Sequence, residues 1–87
     1  MTAAHVEENL LVDSECIELD ARGLMCPMPL LKLKQSLNKM EAGQVIRVQT
    51  TDPGSLRDFS AFLRQGSSEL VAQTQNDKGE YCFLIKK

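Results

Sequence analysis

Cys26 is the residue of this 87-residue chain whose position best suits it to covalent chemistry. It lies between a predicted strand and a predicted helix and is followed by Pro27. A cysteine at the N-terminus of a helix is expected to have a lowered pKa, because the positive end of the helix dipole stabilises the thiolate. The thiolate is the nucleophilic form of cysteine, so this position predicts thiol exchange at Cys26. The alternative is a small buried apolar residue, which free cysteines often are.

The prolines around Cys26 limit which backbone groups can reach its sulfur. With Cys26 as the N-cap, the first turn has unpaired donors, but Pro27 and Pro29 have no N–H to contribute. The N–H of Met28 is then the main donor left for the sulfur. Pro29 also disfavours the helical region for Met28, so the helix can start one or two residues later. The rim of the sulfur is expected to be apolar, with Leu24, Met25 and Met28.

The other candidate groups favour structural roles. Cys16 and Cys82 lie within predicted strands, where no helix dipole would activate them. A metal site is not expected, since the chain has no Cys-x-x-Cys pair and its one histidine, His5, lies in an acidic stretch. With no second cysteine near Cys26 in the sequence, thioredoxin-like disulfide exchange is disfavoured.

The hydrophobic pattern predicts six elements in the order β-α-β-α-β-β. The strands are expected at 16–20, 45–50, 69–75 and 81–86, and the helices at 27–41 and 53–65. Asp52 and Pro53 are typical of a helix start, with Asp52 as N-cap and Pro53 at the first helical position. Residues 76–79 are expected to form a short hairpin loop, with Gly79 available for positive φ.

This order of elements predicts an α+β fold. The first two strands are joined through a helix and should be parallel, whereas the last two form an antiparallel hairpin. Because the strands alternate between apolar and polar residues, one face of the sheet should meet water and both helices should cover the other. The result is a two-layer sandwich with a mixed four-stranded sheet. Its expected core residues are Ile17, Leu19, Leu30, Leu33, Leu37, Met40, Ile46, Val48, Leu56, Phe59, Leu63, Leu70, Phe83 and Ile85.

The fold predicts where a site would form. In parallel strand–helix–strand units, ligands bind beyond the carboxyl ends of the strands. Residues 22–29 and 51–55 leave such ends, and each segment opens a helix. Two helix N-termini, with positive dipole ends and free N–H groups, are therefore expected side by side near Cys26.

Length and composition indicate one folded domain and exclude several functions. Hydrophobic residues make up 43% of the chain and charged residues 25%, as in ordinary folded proteins. No apolar run is long enough for membrane insertion, and the N-terminus lacks the basic start of a secretory signal. Three cysteines, an odd number, favour reduced thiols in the cytoplasm. A net charge of −2 argues against specific nucleic-acid binding.

Charge is unevenly distributed along the chain. The first twenty residues carry six acidic and no basic residues, and residues 1–14 are expected to be a flexible tail before a single domain at 15–87. Residues 21–40 carry four basic residues and no acidic one. Lys32 and Lys39 on the predicted first helix either only solubilise it or form a docking surface for an acidic protein partner.

Two stretches of the chain resemble the signature of the TusA/SirA-like (also YhhP-like) family of small sulfur-carrier proteins. They are Asp20-x-x-Gly23-Leu24-x-Cys26-Pro27-x-Pro29 and Asp52-Pro53-x-Ser55-x-Arg57-Asp58. The resemblance covers residues 16–87. It implies a βαβαββ sandwich with sheet order 1-2-4-3, and a sulfurtransferase that needs no cofactor other than a covalent persulfide on Cys26.

The resemblance implies a persulfide relay. Cys26 would accept sulfane sulfur from a donor such as a cysteine desulfurase and pass it to the cysteine of a downstream relay protein. In the best-known branch of the family the relay ends in 2-thiouridine in tRNA. Direct, specific binding of nucleic acid by this chain is not expected.

Several residues of the two motifs are expected to support Cys26, and they include Met28, Asp52 and Asp58. A persulfide is more acidic than a thiol, so a cation should hold it as the anion. Arg57 is the best candidate and Arg22 the next; for Arg57 the alternative is an ion pair with Asp58 or an exposed charge. Gly23 is expected to supply backbone freedom. Rigidity is expected from Pro27 and Pro29.

The motif departs from the tRNA-thiolation branch at two positions. Members of that branch tend to have a basic residue where this chain has Met25 and an acidic one where it has Met28. The downstream partner therefore stays open, whereas the thiol chemistry does not depend on these positions. Two alternatives remain: a non-enzymatic regulatory or protein-docking module with a structural Cys26, and an accessory protein in thiosulfate uptake or sulfur oxidation.

Overall fold

A computed structural model describes residues 16–87, which form one four-stranded sheet with two helices. The predictions made for the tail at residues 1–14 and for His5 lie outside these residues. In the described part of the chain, no helix is long and apolar enough to cross a membrane.

The six elements follow the predicted order. They are β1 (Cys16–Ala21), α1 (Met28–Lys39), β2 (Val45–Thr50), α2 (Gly54–Gln65), β3 (Glu69–Gln75) and β4 (Tyr81–Lys86). Helix α1 is shorter than predicted at both ends, because Pro27 holds the N-cap position and the backbone turns extended at Met40 (φ −92°, ψ 156°). Gly79 has φ +81° in the hairpin between β3 and β4, so the predicted turn is confirmed.

The sheet has the order β1-β2-β4-β3, as the family resemblance implied. Strand β1 pairs parallel to β2, with Ala21 opposite Thr50, so both strands end at the same edge of the sheet. Strand β4 runs antiparallel to both β2 and β3. The mixed α+β sheet is therefore confirmed, and the segments that follow β1 and β2 are neighbours.

The core lies between the helices and one face of the sheet. Eight of the predicted core residues are buried, and their list is Leu33, Leu37, Met40, Ile46, Val48, Phe59, Phe83 and Ile85. Phe59 of α2 and Phe83 of β4 hold the layers together, with ring centroids 4.6 Å apart. Ile17, Leu19, Leu30, Leu56 and Leu63 are partly buried against this cluster. Ala21 and Tyr81 are buried although the pattern did not predict them.

The prediction of Leu70 as a core residue is wrong. Its side chain is 37% exposed, and every residue of β3 is exposed. Strand β3 lies at the edge of the sheet, and its pairing with β4 shifts register between Leu70 and Ala72. Such a bulge interrupts the alternation of faces on which the prediction relied.

Lys87 ties the end of the sheet to the end of α1. Its ammonium group donates hydrogen bonds to the carbonyls of Leu37 (2.5 Å) and Met40 (2.6 Å). Its backbone N–H donates to Gln44 (2.8 Å) and its carbonyl accepts from Gly43 (3.0 Å). Carbonyls at a helix C-terminus lack helical partners and carry negative partial charge, so a lysine is a favourable cap there.

Candidate functional site

Two adjacent loops form the candidate site. Residues 22–27 connect β1 to α1, and residues 51–53 connect β2 to α2. The N–H of Gly23 donates to the hydroxyl oxygen of Thr51 (2.9 Å), and the N–H of Cys26 donates to Oδ2 of Asp52 (2.7 Å). Gly23 has φ +82°, a conformation that glycine adopts without a Cβ penalty, as its predicted role requires. The second loop therefore holds the first in place at both ends.

Asp52 uses both oxygens of its carboxylate. Oδ2 accepts from Cys26, while Oδ1 accepts from the N–H of Gly54 (3.1 Å) at the start of α2. The predicted helix start is displaced by one residue, since Pro53 holds the N-cap position and α2 begins at Gly54. Asp52 thus still satisfies a free donor of the first turn, and in addition links α2 to the Cys26 loop.

Cys26 is exposed but does not cap α1. The helix begins at Met28, within the one or two residues of displacement that Pro29 was expected to cause. The N–H of Met28 donates to the carbonyl of Met25 (2.8 Å), so its predicted contact with the sulfur is wrong. Pro29 is buried and fixes the first turn of α1 against the core.

The Cys26 thiol donates a hydrogen bond to Oδ2 of Asp58, at an Sγ–Oδ2 distance of 2.9 Å. This bond, then partial desolvation and the negative charges of Asp58 and Asp52, raise the pKa of Cys26 above its ordinary value. Among residues 16–87, Arg57 is the one group that acts to lower it. The expectation of a lowered pKa is therefore wrong for this thiol. Two nearby carboxylates disfavour the thiolate at this position.

The two predicted cations differ in their surroundings. Arg57 is exposed, forms no salt bridge within residues 16–87 and acts on Cys26 through its charge, so the alternative of an ion pair with Asp58 is wrong. Arg22 is engaged elsewhere: its side chain binds Asp20 (2.9 Å) and lies 3.6 Å from Glu80. The guanidinium lowers the pKa of Asp20 to about 2.

Several apolar residues close to Cys26 in the sequence are exposed. Met25 is 78% exposed, and Met28 and Leu31 are each 42% exposed. Leu24 is half-buried. Exposed apolar side chains near a reactive residue are consistent with a contact surface for another macromolecule.

The remaining predicted residues lie away from the sulfur. Lys32 and Lys39 are exposed along α1. Cys16 and Cys82 are half-buried within β1 and β4. Within residues 16–87 no group of three or more His, Cys, Asp or Glu side chains is placed to hold a metal ion.

Two contacts at the site were missed by the sequence reasoning. Asp58 was assigned only a supporting role through its motif, although it lies four residues after Gly54 and so shares that side of α2. Thr51 gave no signal, because a single threonine between a strand and a helix start is common. Each of the two contacts the loop before α1 from a segment about 30 residues further along the chain, and spacing within one segment does not reveal such a contact.

Comparison with known proteins matches this chain to one family. The family model described as Sulfurtransferase TusA matches residues 17–87. The chain is 51% identical over 70 residues to the sulfur carrier protein TusA of Allochromatium vinosum, covering 80% of this chain and 91% of that protein. It is 41% identical over 80 residues to the sulfur carrier protein TusA of Pseudomonas syringae, covering 92% and 90%.

A solved structure has the same fold. The crystal structure of a SirA-like protein from Desulfitobacterium hafniense superimposes with a TM-score of 0.65 at 27% sequence identity, covering 80% of this chain and 95% of that one. The fold and the site define a small α+β protein that presents one exposed thiol beside two helix N-termini. The chain belongs to the TusA family of sulfur carrier proteins. A carrier of this class works between a sulfur donor protein and a sulfur acceptor protein.

Proposed function

We propose that this chain carries sulfane sulfur as a persulfide on Cys26, taking it from a cysteine desulfurase and passing it to the cysteine of an acceptor protein. The observation that carries the proposal is the exposed Cys26 thiol, held on a loop that Asp52 fixes by a 2.7 Å hydrogen bond from the cysteine's own N–H. An exposed sulfur on a fixed loop can enter the site of a partner without rearrangement of the carrier.

The relay consists of two sulfur exchanges. Cys26 Sγ attacks the outer sulfur of the donor's persulfide; the new S–S bond forms on Cys26, the donor's S–S bond breaks, and the donor thiolate leaves. The Cys26 persulfide then meets an acceptor thiolate, which attacks its outer sulfur and releases the Cys26 thiolate. Each exchange moves one sulfur atom and needs no external oxidant or reductant.

Two positive features of the site act on the loaded form. A persulfide is more acidic than a thiol, so it is anionic at neutral pH. Arg57 is exposed, and the N-termini of α1 and α2 bring positive dipole ends to the same edge of the sheet. These groups would hold the negative charge on the outer sulfur without binding it so firmly that delivery is prevented.

The partner surface is proposed to combine an apolar centre with a basic flank. Met25 and Met28 lie within two residues of Cys26, are exposed, and would exclude water from the reacting sulfurs once a partner covers them. Lys32 and Lys39 lie exposed on the same helix and would steer an acidic partner towards it. We place this chemistry in the cytoplasm, where thiols are kept reduced. We propose a relay protein as the acceptor.

The proposal is tested by loading from a desulfurase. The protein is incubated with a cysteine desulfurase and cysteine, and the sulfur gained is measured by intact mass. Cys26→Ser should abolish the gain, because no other thiol lies on the exposed loop. Cys82→Ser is the matched control and should load like the wild type, since Cys82 is half-buried in β4. Loading that survives Cys26→Ser would move the site to another cysteine and overturn the proposal.

The docking surface is tested by charge reversal. Lys32→Glu combined with Lys39→Glu should slow loading from the desulfurase, and the difference from wild type should shrink as salt is added. Lys86→Glu is the control, because Lys86 is exposed and lies on the face of the sheet opposite the helices. Equal slowing by both substitutions would show a general effect of charge and not a docking surface.

A further inference from the structure

The contact between the Cys26 thiol and Asp58 exists only when the sulfur carries a proton. The Sγ–Oδ2 distance is 2.9 Å, and an ionised carboxylate can only accept a hydrogen bond, so the thiol is the donor. Removing that proton would leave two negative groups at hydrogen-bond distance. Such a pair repels strongly near a protein surface, where the effective dielectric constant is well below that of water.

Few other charges act on this sulfur. From the β2–α2 side these are Asp58, Asp52 and Arg57, the first two disfavouring the thiolate and the last favouring it. On the loop that carries Cys26, Arg22 is paired with Asp20. The first turn of α1 has no acidic residue. Within the described residues, Asp58 is therefore the group that holds the Cys26 sulfur in place only while the sulfur is protonated. The raised pKa of Cys26 agrees with this.

Loading removes the proton that the Cys26 side chain donates to Asp58. Cys26 without cargo is a thiol, which can donate to the carboxylate. Cys26 with cargo is a persulfide, which loses its proton to water at neutral pH and cannot donate. The inner sulfur then has no hydrogen, and the outer sulfur is an anion facing a carboxylate.

We propose that the Asp58 carboxylate, in direct contact with the reacting sulfur, holds the empty Cys26 side chain against α2 and releases it when the outer sulfur is attached. This inference rests on the proposed function of Cys26 as a persulfide carrier. During loading, the proton leaves Sγ for the Asp58 carboxylate as the S–S bond forms, and then passes to the departing donor thiolate. After delivery, Sγ takes up a proton and the contact with Asp58 forms again.

As a consequence, the empty and loaded forms of the carrier differ in how exposed the reacting sulfur is. The empty thiol is restrained and protonated, so it reacts slowly with small electrophiles and oxidants. The loaded persulfide is repelled from Asp58 towards the open side of the loop, where Met25 and Arg57 are exposed. An acceptor therefore meets the outer sulfur first.

The test compares alkylation of the empty and loaded forms at neutral pH. The empty protein is treated with iodoacetamide, and the reaction is followed on the Cys26 peptide by mass spectrometry. Asp58→Asn should react several-fold faster than wild type, with its pH profile displaced to lower pH. Asp58→Glu should restore slow reaction at least in part, because it returns a carboxylate. Asp77→Asn, in the exposed turn before β4, is the control and should react like wild type.

The loaded form is prepared with inorganic polysulfide, so that no desulfurase is needed. Loaded wild type and loaded Asp58→Asn should be alkylated at equal rates, because Asp58 no longer holds the sulfur. The inference would be overturned if empty Asp58→Asn were alkylated at the same rate as empty wild type. It would also be overturned if the substitution accelerated alkylation of the empty and loaded forms equally, because that would show a general loosening of the loop. If the alkylation rates are as expected but the protein gains no sulfur from a desulfurase, the result would instead contradict the proposed donor.

Discussion

Asp52 links the two loops, and its contribution to the free energy of unfolding can be calculated and measured. Its carboxylate accepts the N–H of Cys26 at 2.7 Å and the N–H of Gly54 at 3.1 Å. A hydrogen bond to a charged group contributes about 1.5–3 kcal/mol when well shielded, and a side-chain cap at a helix start contributes about 1 kcal/mol. The Cys26 contact is exposed and so belongs near the low end of that range. Asp52→Ala should therefore lower the free energy of unfolding by about 2.5 kcal/mol.

The measurement is urea unfolding followed by circular dichroism, with the slope of the transition checked for constancy. Asp52→Asn keeps one carbonyl oxygen and can serve only one of the two donors, so it should lose about 1 kcal/mol. Asp77→Ala, which removes an exposed carboxylate from the hairpin turn, is the control and should leave stability unchanged within about 0.5 kcal/mol.

Asp52 also affects the reactivity of the thiol. Its negative charge contributes to the raised pKa of Cys26, so Asp52→Asn should move the alkylation profile of Cys26 to lower pH. If Asp52→Ala were as stable as Asp77→Ala, the carboxylate would not be fixing the Cys26 loop. The position of the thiol would then need another explanation.

Two further predictions concern the ends of the sheet. Lys87→Met removes the ammonium that binds the carbonyls of Leu37 and Met40, and urea unfolding should show a loss of about 1–2 kcal/mol; unchanged stability would mean that water replaces the cap without cost. Asp20 has its pKa lowered to about 2 from an ordinary 3.8, so its ionised form stabilises the folded state above that ordinary value and the contribution disappears as pH falls towards 2. The difference in unfolding free energy between wild type and Asp20→Asn should therefore shrink as pH falls across this interval. A difference that is independent of pH would contradict the pairing with Arg22.

The architecture could be predicted because each element carries a local signal. The apolar stripe of α1 and the alternation of β2 and β4 depend only on neighbours along the chain, and they locate the buried face correctly. Leu70 shows where such reasoning fails. Its pattern is that of a half-buried strand, but whether a strand is covered depends on its position in the sheet and on a bulge at the neighbouring residue.

The site was predictable in location but not in electrostatics. Parallel pairing of β1 and β2 requires the Cys26 loop and the Asp52 loop to be adjacent, and the sequence identifies both. The helix dipole suggested a lowered pKa for Cys26, whereas the approach of Asp58 raises it. That contact joins residues 32 positions apart, and only the packing of α2 beside the loop establishes it.

The central claim is that sulfur travels on Cys26, and a peptide map of the wild-type protein tests it most directly. After incubation with a cysteine desulfurase and cysteine, the protein is blocked, digested and analysed by tandem mass spectrometry. The added sulfur should be found on the peptide that contains Cys26 and should be lost when a reducing thiol is added. Sulfur located on Cys16 or Cys82, or absent from all three cysteines while the desulfurase is active, would contradict the account.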